Sequence, residues 1–294
     1  MPRHGGSRAG TAGPKKPPLT HFLCLPLVTT ASRPQLETSM KKFRDAVTST
    51  SYCAAEDDMM KIHPKAIRPV GALHCTLGVM SLNKQELDQA MKLLEELDVN
   101  ELLRGTVGGA TPSASESPVT PLTIDLHGLV SMHDPQKTSI LYSAPQDPTE
   151  RLYPFCLAVQ KLFKDASFLI DENRELKLHA TIVNTIYAKG RTKRPPKNAQ
   201  RQQTPEPDQS VRASVEAPEG PAISDSAAGH GPEADAPLKI NATHLLEQYE
   251  DFVWANDVKL DRIAICEMGA KKITDAEFRV VDEEYKEVAR VAIG

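Results

Sequence analysis

Two short stretches hold the residues with the most evident chemical potential. "GALHCTLGVMSL" (71–82) and "LKLHATIVNTIY" (176–187) share the core His-x-Thr-apolar, with His74 and Thr76 in the first and His179 and Thr181 in the second. On a β-strand, side chains at i and i+2 share a face. Each stretch therefore offers an imidazole and a hydroxyl side by side, while Cys75 and Leu77, or Ala180 and Ile182, point back into a core. If the two strands face one another across a cleft, two imidazoles and two hydroxyls converge. That set suits phosphodiester chemistry. An unperturbed imidazole titrates near ~6.5, so one histidine can act as general base on a water or ribose hydroxyl and the other as general acid on the leaving oxygen. Threonine hydroxyls can donate to the non-bridging phosphate oxygens as charge builds on them. The near symmetry of the pair leaves open which histidine is acid and which is base. No metal or other cofactor is called for. A zinc site would need a third His, Cys or carboxylate at ligand spacing, which neither stretch provides.

The surrounding sequence supplies elements to position this pair. "THFLCLPLV" reads as a first strand, although its apolar run after a lysine pair imitates a signal peptide. His21, on that strand, could border the cleft. "SRPQLETSMKKFRDAV" carries Leu36, Met40, Phe43 and Val47 on one helical face, with Ser32 as N-cap. Asn83 and Glu86 form a capping-box signal for a helix running to about Arg104. "PLTIDLHGLVSM", "SILYSAP" and "SFLI" read as strands. Between the last two, Asp147-Pro148 starts a helix whose buried stripe is Leu152, Phe155, Cys156, Val159, Leu162 and Phe163. "NATHLLEQYEDFVWAN" reads as a helix, and "VKLDRIAICEM" and "FRVVDEEYKEVARVAI" as closing strands or a hairpin. Short local strands among helices predict an α+β fold with antiparallel sheets. No Gly-rich phosphate loop opens a helix, and the "GTVG" at 105–108 lacks the basic surroundings of an RNA-clamping loop.

The chain has 294 residues, 40% of them hydrophobic, enough for one large domain or two lobes. A net charge of −4 gives no global sign of nucleic-acid binding, so any RNA contact must be local. The five cysteines are scattered, with no Cys-x-x-Cys, and read as thiols of a reducing compartment. No stretch approaches the ~20 apolar residues that span a bilayer. Two segments read as disordered: a tail at 1–17, and an insertion at about 188–237 with eight prolines and no Leu, Met or aromatic residue. The domain proper is then 18–294, interrupted by that insertion. Its leading half is basic (Lys189, Arg191, Lys193, Arg194), a candidate phosphate contact or import signal.

The paired motif resembles the 2H phosphoesterase superfamily, which is defined by two His-x-Thr-hydrophobic motifs. "THFLCLPL", "LHCTLGVMSL", "LKLHATIVNTIY" and "VKLDRIAI" are similar to strands of the phosphoesterase-like domain found in an activating signal cointegrator complex and of the nucleotide-binding domain of an A-kinase anchor protein. The resemblance spans about residues 19–294 without the insertion. It implies a bilobal (LigT-like) fold, two antiparallel sheets facing a central cleft with helices outside. It also implies His74 and His179 as catalytic residues and Thr76 and Thr181 as phosphate-binding residues. Implied activities are cleavage of 2′,3′-cyclic phosphates, 2′,5′ linkages or RNA 3′ ends. The alternative is a non-catalytic nucleotide- or RNA-binding subunit of a transcription-coactivator or alkylation-repair complex. RNA, an oligonucleotide or a nucleotide is the expected partner, with a coactivator or helicase complex as a further one, in the nucleus and/or cytoplasm. No KH module precedes residue 18 and no kinase-anchoring helix follows the last strand, so those attachments are not expected.

Overall fold

The strands of this protein begin where apolar, β-branched runs begin, and their order in space differs sharply from their order in the chain. The computed structural model describes residues 17–48, 62–105, 120–188 and 238–294. The tail before residue 17, the insertion from 189 to 237, Cys53 and nearly all of the Pro/Ser loop that contains "GTVG" lie outside the described residues.

The strands are β1 (His21–Pro26), β2 (His74–Met80), β3 (Thr123–Ser131), β4 (Ile140–Gln146), β5 (Ala180–Asn184), β6 (Val253–Lys259), β7 (Arg262–Glu267), β8 (Lys271–Thr274), β9 (Val280–Glu284) and β10 (Glu287–Ala292). Eight of them form one antiparallel sheet in the order β10-β7-β1-β2-β5-β4-β3-β6, and β8 and β9 pair separately as a hairpin. The large sheet has two four-stranded halves. Its seam lies between β2 and β5, which share a single ladder pair, Cys75 with Ala180. Beyond that pair the strands diverge. The segment before β2 takes over, through an Ile67–Val183 bridge and a 2.8 Å bond from the Arg68 amide to the Ile182 carbonyl. The two predicted sheets are thus present, fused at one seam, and the fold is α+β as read from the sequence.

The helices are α1 (Arg33–Thr48), α2 (Lys84–Glu95), α3 (Val99–Gly105), α4 (Leu152–Asp165) and α5 (Thr243–Gln248). The predicted stripe of α1 is buried, and the Ser39 hydroxyl on the same face donates to the Trp254 carbonyl of β6 at 2.8 Å. Ser32 precedes α1, but its hydroxyl donates to the Leu27 carbonyl and accepts from the Thr29 amide, tying the helix back to β1 instead of capping it. The Asn83/Glu86 capping box forms as read. The helix it starts ends at Glu95, because Asp98 accepts from the Glu101 amide and opens α3 as a new helix.

Three further expectations are corrected. Asp147 caps, but its carboxylate accepts from the Leu152 amide, so α4 starts at Leu152; Pro148–Glu150 form a turn, with Glu150 at a φ of 56°. "SFLI" is no strand. It touches β2 through a bond from the Ile170 amide to the Val79 carbonyl. The predicted helix at 241–256 is cut to one short helix ending at Gln248, after which Val253 and Trp254 join β6. Tyr249 and Trp254 still share a core by packing edge-on against Phe43 of α1, at 5.0 and 5.2 Å between ring centroids.

Candidate active site

Both predicted histidines stand at the seam, and at strand beginnings, not at strand centres. His74 is the first residue of β2, and His179 immediately precedes β5. The run expected to be one long strand at 176–187 is a five-residue strand with a tight turn after it. The antiparallel sense of the Cys75–Ala180 pair sets Thr181 next to His74 and His179 next to Thr76. Each imidazole therefore neighbours the hydroxyl of the other motif.

The β1–β2 register slips between Leu23 and Cys24, leaving Leu77 as an extra residue in β2. The bulge decides which side chains face the cleft. Before it, His74 and Thr76 share the cleft face while Cys75 and Leu77 are buried in the core. After it, Gly78 turns to the core side, where a Cβ would lie 2.7 Å from Leu169. His21 alternates with Leu23 and Leu25 onto the core side, so it does not border the cleft; its Nδ1 pairs with the Thr20 hydroxyl at 2.9 Å.

The two imidazoles are held in the same way. His74 Nδ1 lies 2.8 Å from the Ala72 carbonyl, and His179 Nδ1 lies 2.7 Å from the Lys177 carbonyl. A carbonyl only accepts, so Nδ1 carries the proton in each ring and Nε2 presents its lone pair. Neither Nε2, nor the hydroxyl of Thr76 or Thr181, has a hydrogen-bond partner among the described residues. Four polar groups at one seam thus remain available to a ligand.

Both rings are shifted toward the neutral form, chiefly by burial. Burial is the main cause for His74 and brings its pKa down to about 4; the Ala72 carbonyl opposes this, and Arg68 and His179 add to it. The Cys75–Ala180 pairing sets the two rings on adjacent strands. Burial also lowers His179, against the Lys177 carbonyl, with Lys177 and Arg174 contributing. Cys75, between the two motif residues, is pushed up to about 12 by burial and is inert as a nucleophile.

Arg68 was not singled out from the sequence. It is 5% exposed, it stacks over Tyr187 at 4.1 Å, and its Nη2 donates to the Tyr285 hydroxyl at 3.1 Å. Tyr285 packs edge-on against His74 at 5.1 Å, and Phe22 packs against both. On the other side Tyr142 is buried beneath His179, edge-on at 5.5 Å, with Lys177 Nζ 4.8 Å above its ring. Tyr142 and Tyr187 are thus engaged with His179 and Arg68. The only sequence signal for Arg68 was a lone cation in an apolar run, "IRPVGAL". Among the described residues, no group of three or more His, Cys, Asp or Glu is placed to hold a metal ion.

Comparison with known proteins bears on this arrangement. A search of curated proteins finds mouse (Mus musculus) activating signal cointegrator 1 complex subunit 1, 26% identical over 180 residues, 60% of this chain and 45% of that protein. The chain therefore spans less than half the length of that relative. Among solved structures, Escherichia coli LigT complexed with 3′-AMP aligns over 94% of this chain and 98% of its own, at 12% identity and a TM-score of 0.39. Usb1 of Kluyveromyces marxianus aligns over 59% of this chain and 74% of its own, at 15% identity and a TM-score of 0.29. The family model described as the AKAP7 2′5′ RNA ligase-like domain matches residues 19–283. With that match over most of its length and two His-x-Thr strands at one seam, the chain belongs to the AKAP7 2′5′ RNA ligase-like domain family, within the 2H phosphoesterase superfamily.

Proposed function

We propose that this chain is a metal-independent phosphodiesterase acting on RNA or oligonucleotide ends, at a 2′,3′-cyclic phosphate or a 2′,5′ linkage. The family's RNA ligase-like description supports the substrate class. The observation that carries the reaction is the matched pair of imidazoles, each with Nδ1 committed to a carbonyl and Nε2 uncommitted, beside two uncommitted hydroxyls.

In this reading the phosphate sits at the seam. Thr76 and Thr181 donate to its non-bridging oxygens, and the Arg68 cation lies close enough to the site to favour an anion. His74, held neutral, takes a proton from the attacking water through Nε2. The new P–O bond forms as the bond to the leaving ribose oxygen breaks. His179 enters protonated, its charge supported by the bound phosphate, and gives that proton to the leaving oxygen. One proton is taken and one is given, and the next turnover requires proton exchange with solvent.

A second reading is a non-catalytic nucleotide- or RNA-binding subunit of a coactivator or repair complex. The favouring observation is that burial lowers both rings, which disfavours the protonated acid that the reaction needs. Turnover of a cyclic-phosphate and 2′,5′-oligonucleotide panel in excess EDTA separates the two. The catalytic reading expects activity that His74→Ala and His179→Ala each abolish with the fold intact. Tight nucleotide binding without turnover would replace it by the second.

A further inference from the structure

A cavity of about 220 Å³ opens on the cleft face of the half-sheet that carries His74, and His74 and Tyr285 form one of its walls. His74 is shared between this cavity and the imidazole pair, whereas His179, Thr76 and Thr181 do not line it. Pockets for drug-sized ligands begin at ~300 Å³, so this one has room for a single flat ring system and not for a whole dinucleotide.

Its chemistry is specific. The floor is made by Cys24 of β1 and Cys266 of β7, whose sulfurs lie 3.8 Å apart. Burial raises the Cys24 thiol, which keeps it protonated and uncharged. The rim carries two guanidinium groups, and each is already matched by at least two carboxylates. Arg33 pairs with Glu284 at 2.7 Å and Asp282 at 2.8 Å. Arg262 pairs with Glu287 and with Asp261, both at 2.7 Å. No surplus positive charge is left for a phosphate. What the rim offers is carboxylate acceptors and guanidinium donors around an uncharged floor, with the Tyr285 ring as a rigid wall. Tyr285 is fixed by its contacts to Phe22, at 4.8 Å, and His74, at 5.1 Å.

A neutral heteroaromatic ring with a polar edge satisfies these constraints. We propose that the cavity takes the nucleobase of the nucleotide on the His74 side of the phosphate, and that it favours a base bearing an exocyclic amino group over uracil. This rests on the reading of the seam as a phosphate site. The preference follows from the acceptors. Glu284 and Glu287 line the cavity, and an ionised carboxylate can only accept. Adenine, guanine and cytosine each bring an amino donor, whereas the edge of uracil is dominated by carbonyl acceptors that would face those carboxylates. Bases stack on aromatic walls irrespective of identity, so Tyr285 supplies affinity and the glutamates supply choice.

The test uses the full chain and four nucleoside 3′-monophosphates (A, C, G and U) in calorimetry, with turnover of the four 2′,3′-cyclic nucleotides alongside. Uridine should bind about tenfold more weakly than the other three, the lower end for losing one hydrogen bond to a charged group. Glu287→Gln, with Arg262 retained, should narrow that gap. Cys266→Leu should weaken all four by filling the floor, while inorganic phosphate binding is unchanged. Four bases that bind and react alike in the unmodified chain would overturn the base site, whatever the variants do. Ranked binding without turnover would keep the base site and remove the hydrolytic reading. No binding by any of the four would remove both.

Discussion

The strongest quantitative handle on the site is the proton that His74 does not carry. In the unfolded chain its imidazole titrates at the ordinary 6.5, and in the folded protein at about 4. The folded pKa is lowered, so between these values the unfolded chain binds more protons. Stability is then fully present above about pH 6.5 and falls as the pH drops toward 4. At pH 4.5 the linkage costs the folded state about 2.5 kcal/mol. That figure is an upper limit, because solvent at the half-buried ring screens part of it. His74→Gln removes the titrating group and keeps a side chain that can donate to the Ala72 carbonyl. Urea unfolding of the native chain and the variant at pH 7 and pH 4.5, in phosphate-free buffer, gives a double difference in which the carboxylates shared by both proteins cancel. The native chain should lose about 2 kcal/mol more than the variant. Equal losses would mean that His74 is not desolvated at the seam, and the case for a neutral base would go with it.

Thr76→Val and Thr181→Val should each lower kcat on a cyclic-phosphate substrate by roughly 10- to 100-fold without moving the melting temperature, if their hydroxyls stabilise charge on the phosphate; unchanged kcat in both would remove that role. Arg68→Met should weaken phosphate-competitive nucleotide binding, measured by calorimetry, and should raise the pKa of His74 in NMR titration, since the guanidinium lowers it now. Gly78→Val drives a branched side chain into the position of Leu169, where a Cβ alone would lie 2.7 Å away, and should cost about 1–3 kcal/mol in denaturant unfolding.

 Asn83→Ala removes a complete capping box and should cost about 1 kcal/mol, read as a lower urea midpoint with an unchanged slope.

The parts of the molecule written in local pattern were legible. The apolar stripe of α1 and the capping box of α2 lie where periodicity and end signals put them, as does the stripe of α4 except for Leu162, which the structure leaves exposed. The four motif residues were legible because the i, i+2 rule fixes their face without knowledge of the partner strand. What escaped was set by contacts distant in sequence. Val253 and Trp254 continue a helical pattern, but β6 takes them because Trp254 Nε1 donates to the Gly128 carbonyl of β3 at 2.7 Å and its ring packs on Phe43 of α1. The β8–β9 hairpin is fastened by Arg33 and by the Gly71 amide, which donates to Asp282 at 3.0 Å, and neither partner can be inferred from the hairpin's own residues. Arg68 was invisible for the same reason. Its significance comes from Tyr187 and Tyr285, far along the chain, and from the seam into which the strand preceding β2 is drawn.

The interleaved strand order also constrains how the molecule is made. The half bearing His179 uses β3 to β6, a continuous stretch of chain, whereas the half bearing His74 joins β1 and β2 to β7 and β10. During synthesis from the N-terminus, β1 and β2 must wait for the last strands to emerge, while the intervening half already has its neighbours. Pairings of such long sequence separation are slow to close. The seam would therefore be complete only after β10 has emerged, and a product truncated before β7 would carry one complete half and an unfinished one.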